Sequence, residues 1–193
     1  MLKDLSVHER RCPDRTFTCP DESCSAVVKL VDFDYHMKHM KISLDRTIFG
    51  DRFIFYKHFS EEDKERWDEI YGEPYAHTQT YRLEYSIEDK IVYTEVKWYE
   101  PLDSFALWLW MAEDRRGASK YKAKVVIPGV GANRLTVDGL GISSVENLPL
   151  IDECEGDNGK YFLCIPMALA KKMSMKFPGM WQMRFEIEIQ KIS

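Results

Sequence analysis

The chain has 193 residues, 45% hydrophobic and 31% charged, a composition that excludes disordered and collagen-like proteins. Its net charge of −5, without any basic run of five or more, disfavours nucleic-acid binding through bulk charge. No stretch approaches the roughly 20 apolar residues of a membrane span, and the N-terminus lacks an apolar signal region, so we expect a cytosolic or nuclear protein without membrane contacts.

Cysteines and histidines concentrate at the start of the chain. The first 45 residues hold three of the five cysteines and three of the five histidines. In a reducing compartment such a cluster indicates metal binding rather than disulfides. The spacing is His8-x3-Cys12-x6-Cys19-x4-Cys24-x11-His36-x2-His39.

Four of these residues predict one closed Zn²⁺ site. The predicted ligands are Cys19, Cys24, His36 and His39. Residues 19–24 would form a knuckle turn, and a short helix at 34–40 would present both histidines on one side. Four protein ligands leave no open water position, so the zinc would be structural and not catalytic. The alternative is that these are scattered buried cysteines and surface histidines.

His8 and Cys12 have the spacing of the second half of a further zinc site, whose partner pair would lie upstream of residue 1. The pair cannot complete a four-ligand site within this chain. We therefore interpret 1–12 as the remnant of a preceding finger, and the alternative is that both residues are idle.

A charged segment follows. Ser60 and Asp63 imitate a capping box and Gly72 is a stop signal, so a short helix is predicted at about 61–71.

The remainder predicts β-structure. Period-two alternation predicts half-buried strands, and residues 105–111 are apolar on both faces, which predicts a central strand. Glycine, proline and asparagine turn signals separate the segments, which favours an antiparallel sandwich or barrel. A short helix with proline at its first position is predicted over 166–173. The eight predicted strands cover about 48–59, 81–87, 91–99, 105–111, 121–127, 134–137, 160–165 and 183–189.

These motifs together resemble the seven-in-absentia family of TRAF-like proteins. In that family a His-x3-Cys pair precedes a Cys-x4-Cys knuckle and a His pair, and an antiparallel eight-stranded TRAF-like β-sandwich follows. The later segments SFALWLW (104–110), KYKAKVVI (120–127) and KYFLCIP (160–166) match in order, as does the final alternating strand. The resemblance implies a mainly β fold, with a zinc finger at 13–42 and the sandwich at 44–193.

The resemblance also implies a function. The chain would be a non-catalytic module that recognises a protein or peptide for a ubiquitin ligase, and it would often form a homodimer through the sandwich. The family's RING domain is absent from this sequence, so no enzyme activity is expected of this chain alone. The alternatives are a scaffold or adaptor that acts by dimerisation, and a nucleic-acid-binding finger protein, which the acidic balance disfavours.

The family's peptide groove lies among the early strands, so we expect a partner peptide to add to a sheet edge in the region of 80–88 and 91–99. The side chains that could form its pockets are Tyr81, Tyr85, Tyr93 and Trp98. The alternative is that these aromatic residues belong to the core, which also applies to Trp108 and Trp110 on the adjacent predicted strand.

Overall fold

The computed structural model describes residues 12, 14–19, 24–39, 47–49, 52–60, 78–84, 91–99, 103–145 and 160–192. Over these ranges the protein is mainly β, with three short α-helices. The helices are α1 (Phe33–His39), which follows a 3-10 turn at Leu30–Asp32, α2 (Arg115–Ala118) and α3 (Met167–Met173). The strands are β1 (Thr16–Thr18), β2 (Val27–Lys29), β3 (Thr47–Phe49), β4 (Arg52–Phe59), β5 (Thr78–Glu84), β6 (Ile91–Tyr99), β7 (Ser104–Met111), β8 (Tyr121–Pro128), β9 (Arg134–Ser144), β10 (Phe162–Pro166), β11 (Met175–Phe177) and β12 (Met180–Lys191).

Ten of these strands form one curled sheet, and β1 pairs separately with β2. The order along the sheet is β3-β4-β12-β8-β9-β7-β6-β5, with β10 beside β7 and β11 beside β12. Strand β9 joins the two halves, because its first part pairs antiparallel with β8 and its end pairs parallel with β7, where Ile142 lies opposite Leu109. The expectation of a purely antiparallel arrangement is wrong at this one contact.

The main core lies between the two halves of the curled sheet. Phe59 on β4 and Phe105 on β7 meet across it with ring centroids 5.0 Å apart. Phe55 stacks on Phe185 of the neighbouring strand β12 at 4.8 Å. These rings bury large apolar areas, so the packing between the two halves stabilises the sheet.

The period-two segments at 121–127 and 183–189 form strands where they were predicted, and the one at 81–87 is a strand up to residue 84, with 85–87 outside the described residues. Met183, Phe185, Ile187 and Ile189 are buried on β12 while their neighbours are half-buried, as alternation requires. Every residue of β7 is buried, which confirms the prediction of a strand covered on both faces. Helix α3 is also confirmed, although Pro166 is its N-cap residue and not its first residue.

The expected number of strands was too low. The predicted strand at 48–59 consists of two antiparallel strands, β3 and β4, and residues 50 and 51 between them lie outside the described residues. Strand β9 continues to Ser144, well beyond the predicted 134–137. The helix predicted at 61–71 lies outside the described residues. No helix in the described part of the chain is long and apolar enough to cross a membrane.

Candidate metal centre

The metal centre is built on a small β-hairpin. Strands β1 and β2 pair with Phe17 opposite Val28. The Cys19 N–H donates to the Ala26 carbonyl oxygen at 2.8 Å, which extends the pairing past the strand ends. Cys19 therefore follows β1 and Cys24 precedes β2, so both cysteines lie at the same end of the hairpin.

A second contact fixes the open end of this hairpin. The Lys29 ammonium donates a hydrogen bond to Asp14 at 2.9 Å, and this bond and the nearby carboxylate charge raise the pKa of Lys29. Both side chains are exposed, so water screens the pair. The pair therefore contributes little to the stability of the hairpin.

Helix α1 brings a histidine to the two cysteines. The helix begins at Phe33, directly after the 3-10 turn, and its buried face carries Phe33 and Met37, one turn apart. His36 lies beside that face and is half-buried, with its ring centroid 6.2 Å from that of Phe33. Burial of Phe33 and Met37 thus sets the rotation of the helix that directs His36 toward the hairpin.

The ligand atoms of Cys19, Cys24 and His36 all lie within 4.8 Å of one another. Cys24 Sγ is 3.5 Å from His36 Nε2. In a zinc tetrahedron with Zn–S near 2.3 Å and Zn–N near 2.05 Å, the S···N edge is about 3.5 Å. Two thiols and an imidazole are soft or borderline donors that suit zinc. The three residues therefore have the chemistry and the spacing to bind a zinc ion.

His39 lies outside this group. Its Nδ1–H donates to the Tyr35 carbonyl oxygen at 2.8 Å, and its ring centroid lies 4.1 Å from that of Tyr35. The side chain is exposed at the end of α1. The structure therefore brings together three of the four predicted ligands.

The predicted second half-site is described only in part. Cys12 is half-buried and its carbonyl oxygen accepts from the Arg15 N–H at 3.1 Å, but its thiol does not join the metal group. His8 lies outside the described residues.

A second core lies directly beneath the metal centre. It joins the hairpin and α1 to the outer face of β6 and β7, the face turned away from the main core. Phe33 lies at its middle, with ring centroids 5.1 Å from Phe17 and 5.6 Å from both Tyr93 and Trp110. The buried members are Cys19, Val28, Phe33, Met37, Tyr93, Ala106, Trp108, Trp110, Val145 and Phe162.

This packing changes the interpretation of the predicted partner-binding residues. Tyr93 is 0% exposed under α1, so it is a core residue and cannot offer a pocket in this arrangement. Trp98 is half-buried and packs against the main core. Tyr81 lies in β5 opposite Thr94, and Tyr85 lies outside the described residues.

Two polar contacts of the second core were not predicted. The Tyr93 hydroxyl donates to Asp34 Oδ1 at 2.8 Å, and Trp110 Nε1–H donates to Glu95 Oε1 at 2.8 Å. Glu95 is only 7% exposed. The sequence alone could have indicated such a contact, because Glu95 is a lone carboxylate within the apolar strand β6, and a carboxylate that is buried there needs a hydrogen-bond donor.

The arrangement can bind one thiophilic metal ion and so tie the hairpin to α1. No protein-family model matches the chain, and no curated protein matches it. The function must therefore be argued from the site and the fold themselves.

Proposed function

We propose that the chain is a non-catalytic protein- or peptide-recognition module, in which a zinc-stabilised segment packs on a TRAF-like β-sandwich. In this proposal it is the partner-binding part of a seven-in-absentia-like ubiquitin ligase system. The observation that carries the proposal is the group formed by Cys19, Cys24 and His36, next to a curled, mainly β sheet.

The proposed role of the zinc is structural. A hairpin of three-residue strands and a seven-residue helix are too short to be stable alone. Structural zinc supplies on the order of 10 kcal/mol to such segments. His39 is the proposed fourth ligand: its Nδ1–H donates to the Tyr35 carbonyl oxygen, which leaves Nε2 as the nitrogen that would bind the metal.

The proposed sandwich consists of the two sheet halves on either side of the main core. One half contains β3, β4, β12, β8 and the first part of β9, and the other contains β5, β6, β7 and β10. The segments that resemble the family, 104–110, 120–127 and 160–166, fall on β7, β8 and β10. Their placement in two facing layers supports the TRAF-like assignment.

The proposed partner site is the outer edge of β5. This strand is the last in the sheet order, whereas β6 is paired on both sides, by β5 and β7. An edge strand leaves a row of backbone donors and acceptors to which an extended peptide can add as a further strand. Main-chain hydrogen bonds would then give an affinity that depends little on salt.

The alternative function, a scaffold that acts by dimerisation, is favoured by one observation. The β11–β12 hairpin exposes three large apolar side chains: Met175 is 49%, Phe177 42% and Met180 41% exposed. Phe177 lies directly opposite Met180, so the three share one face of the hairpin. A second copy of the chain could cover this face.

The recognition proposal is tested with proline variants of β5. Alternate residues of an edge strand direct their N–H groups outward. Of Tyr81→Pro and Arg82→Pro, therefore, one removes an outward donor and the other weakens the pairing with β6. Thermal melting followed by circular dichroism identifies the variant that keeps its fold.

Binding is then measured by capture from native lysate with the full chain, followed by mass spectrometry. We expect the wild-type chain to capture a defined partner together with ubiquitin-ligase components, and the folded variant to lose it. If every folded variant captures the same proteins as the wild type, the β5 edge is not the partner site.

A further inference from the structure

The segment that carries the metal ligands also covers an aromatic sheet face. We call the described residues between 12 and 39 the metal segment, and the outer surface formed by Tyr93, Trp108 and Trp110 on β6 and β7 the aromatic face. Tyr93 and Trp110 are 0% exposed and Trp108 is 6% exposed. The other side of this sheet half is packed on the main core, and the metal segment covers the aromatic face together with Phe162, whose ring centroid lies 5.6 Å from that of Trp108.

The contacts across this boundary come from few residues. Phe33 lies against Tyr93 and Trp110, each at 5.6 Å between ring centroids, while Tyr93 and Trp110 stack on each other at 4.3 Å. The Tyr93 hydroxyl donates to Asp34, the residue after Phe33, at 2.8 Å. Helix α1 therefore supplies both the central apolar contact and the polar contact to the face.

The same helix carries a metal ligand. His36 lies three residues after Phe33 and one before Met37, which is 1% exposed in the second core. Cys19 is at once a ligand and a member of that core, at 5% exposure. Metal ligands and the residues that cover the aromatic face therefore alternate on the same short elements. A change in metal occupancy must then act on the residues that cover this face.

The metal segment has little else to hold its shape. Its strands have three residues each and its helix has seven, and its central apolar residue, Phe33, packs on both Phe17 of the hairpin and the sheet. Elements this short are stable only when they are packed or cross-linked. The segment is therefore held by the metal cross-link and by this packing on the aromatic face, and removal of the metal leaves only the packing.

We propose that the metal segment is a metal-dependent cover: with the metal bound it closes over the aromatic face, and loss of the metal releases α1 and exposes Tyr93, Trp108 and Trp110 as an apolar surface. This inference rests on the proposed zinc site. The main core cluster contains no residue of the metal segment, so we expect the sheet to keep its fold in both states.

The test uses the full reduced chain loaded with zinc. A chelator is added stepwise while bound zinc, acrylamide quenching of tryptophan fluorescence and binding of the dye ANS are followed, with circular dichroism as the check on the sheet. We expect quenching and ANS binding to rise, and tryptophan emission to move to longer wavelength, in proportion to the zinc released. Readdition of zinc should reverse all three changes.

Three variants show which residues produce the signal. Tyr93→Phe removes only the hydroxyl that contacts Asp34, so exposure should occur at lower chelator concentration than in the wild type. Tyr121→Phe, which removes a hydroxyl from a buried tyrosine of the main core, should behave like the wild type. In a chain with Trp108 and Trp110 both replaced by Phe, the quenching change should be lost.

The outcomes separate the two proposals. A reduced chain that binds no zinc refutes the metal site and the cover with it. Zinc that binds and is removed without any change in quenching or ANS binding leaves the metal site standing and overturns the cover.

Discussion

Phe33→Ala is the substitution that best tests the coupling between the metal centre and the sheet. Phe33 is 0% exposed and lies between Phe17 of the hairpin and Tyr93 and Trp110 of the sheet. It belongs to the second core and not to the main core cluster, and its side chain is not a metal ligand. Its loss should therefore weaken zinc binding without changing a single ligand.

The magnitude follows from the packing. Replacing a buried phenylalanine by alanine typically costs about 3–5 kcal/mol, through lost apolar burial and the cavity that remains. Zinc binding to such a segment is coupled to its folding, so this cost appears in the apparent zinc affinity. At about 1.4 kcal/mol for each factor of ten, even the lower value predicts zinc binding weaker by roughly 100-fold.

The measurement is a competition titration with a chromogenic zinc chelator on reduced protein. Val31→Ala is the matched control, because Val31 lies in the 3-10 turn directly before the same helix but is 59% exposed. We expect the control to bind zinc nearly as tightly as the wild type. Equal zinc affinity for Phe33→Ala and Val31→Ala would show that the ligand group forms independently of the sheet, and the reasoning from the second core would fail.

Two further predictions concern the ligands and self-association. The Cys24→Ser variant should contain no zinc by metal analysis and should have a loosened metal segment, while its circular dichroism shows an intact sheet. The control is Cys164→Ser, which changes an exposed cysteine on β10 and should keep the metal. Absence of zinc from the reduced wild-type protein would contradict this prediction. Light scattering should give about twice the chain mass of 22.7 kDa, because we expect a dimer that buries more than about 1,000 Å². Phe177→Ser should shift the mass toward that of a monomer, whereas Val130→Ser, at another exposed apolar residue, should leave it unchanged. A strict monomer at high micromolar concentration would refute the dimer.

Local pattern was sufficient to predict most of the sheet. Buried and less buried residues alternate along β8 and β12 because one face of each strand packs on the main core. This periodicity can be recognised from neighbouring residues in the sequence. The change of pairing partner along β9 could not be predicted in this way. Its first residues pair with β8 and its last three with β7, and this choice depends on the curvature of the whole sheet, which the β9 sequence does not encode locally.

The candidate site was predictable to the same extent. Cys19, Cys24 and His36 lie within one short segment, so their spacing alone predicted their proximity. The contact between Asp34 and Tyr93 joins residues 59 positions apart, and it could not be inferred from spacing. For the same reason Tyr93 was predicted as a partner-binding residue, because its sequence does not reveal that α1 covers it.

The composition of strand β7 nevertheless reflects that its outer face is covered. Residues 105, 107, 109 and 111 face the main core, which explains only half of its apolar run. The other half, Ala106, Trp108 and Trp110, belongs to the second core, which the metal segment forms together with Val145 and Phe162. A strand whose outer face met water would place polar residues there.

The coupling between the ligands and the outer face of β7 should be visible in how related sequences vary. Relatives that keep cysteine at 19 and 24 and histidine at 36 should keep apolar residues at 106, 108 and 110, because the cover is then present. Relatives without the three ligands should carry polar residues at those positions while remaining apolar at 105, 107 and 109, which face the main core in either case. The comparison needs only an alignment of such chains. Polar residues at 108 and 110 in chains that retain all three ligands would show that the aromatic face and the metal segment are not coupled.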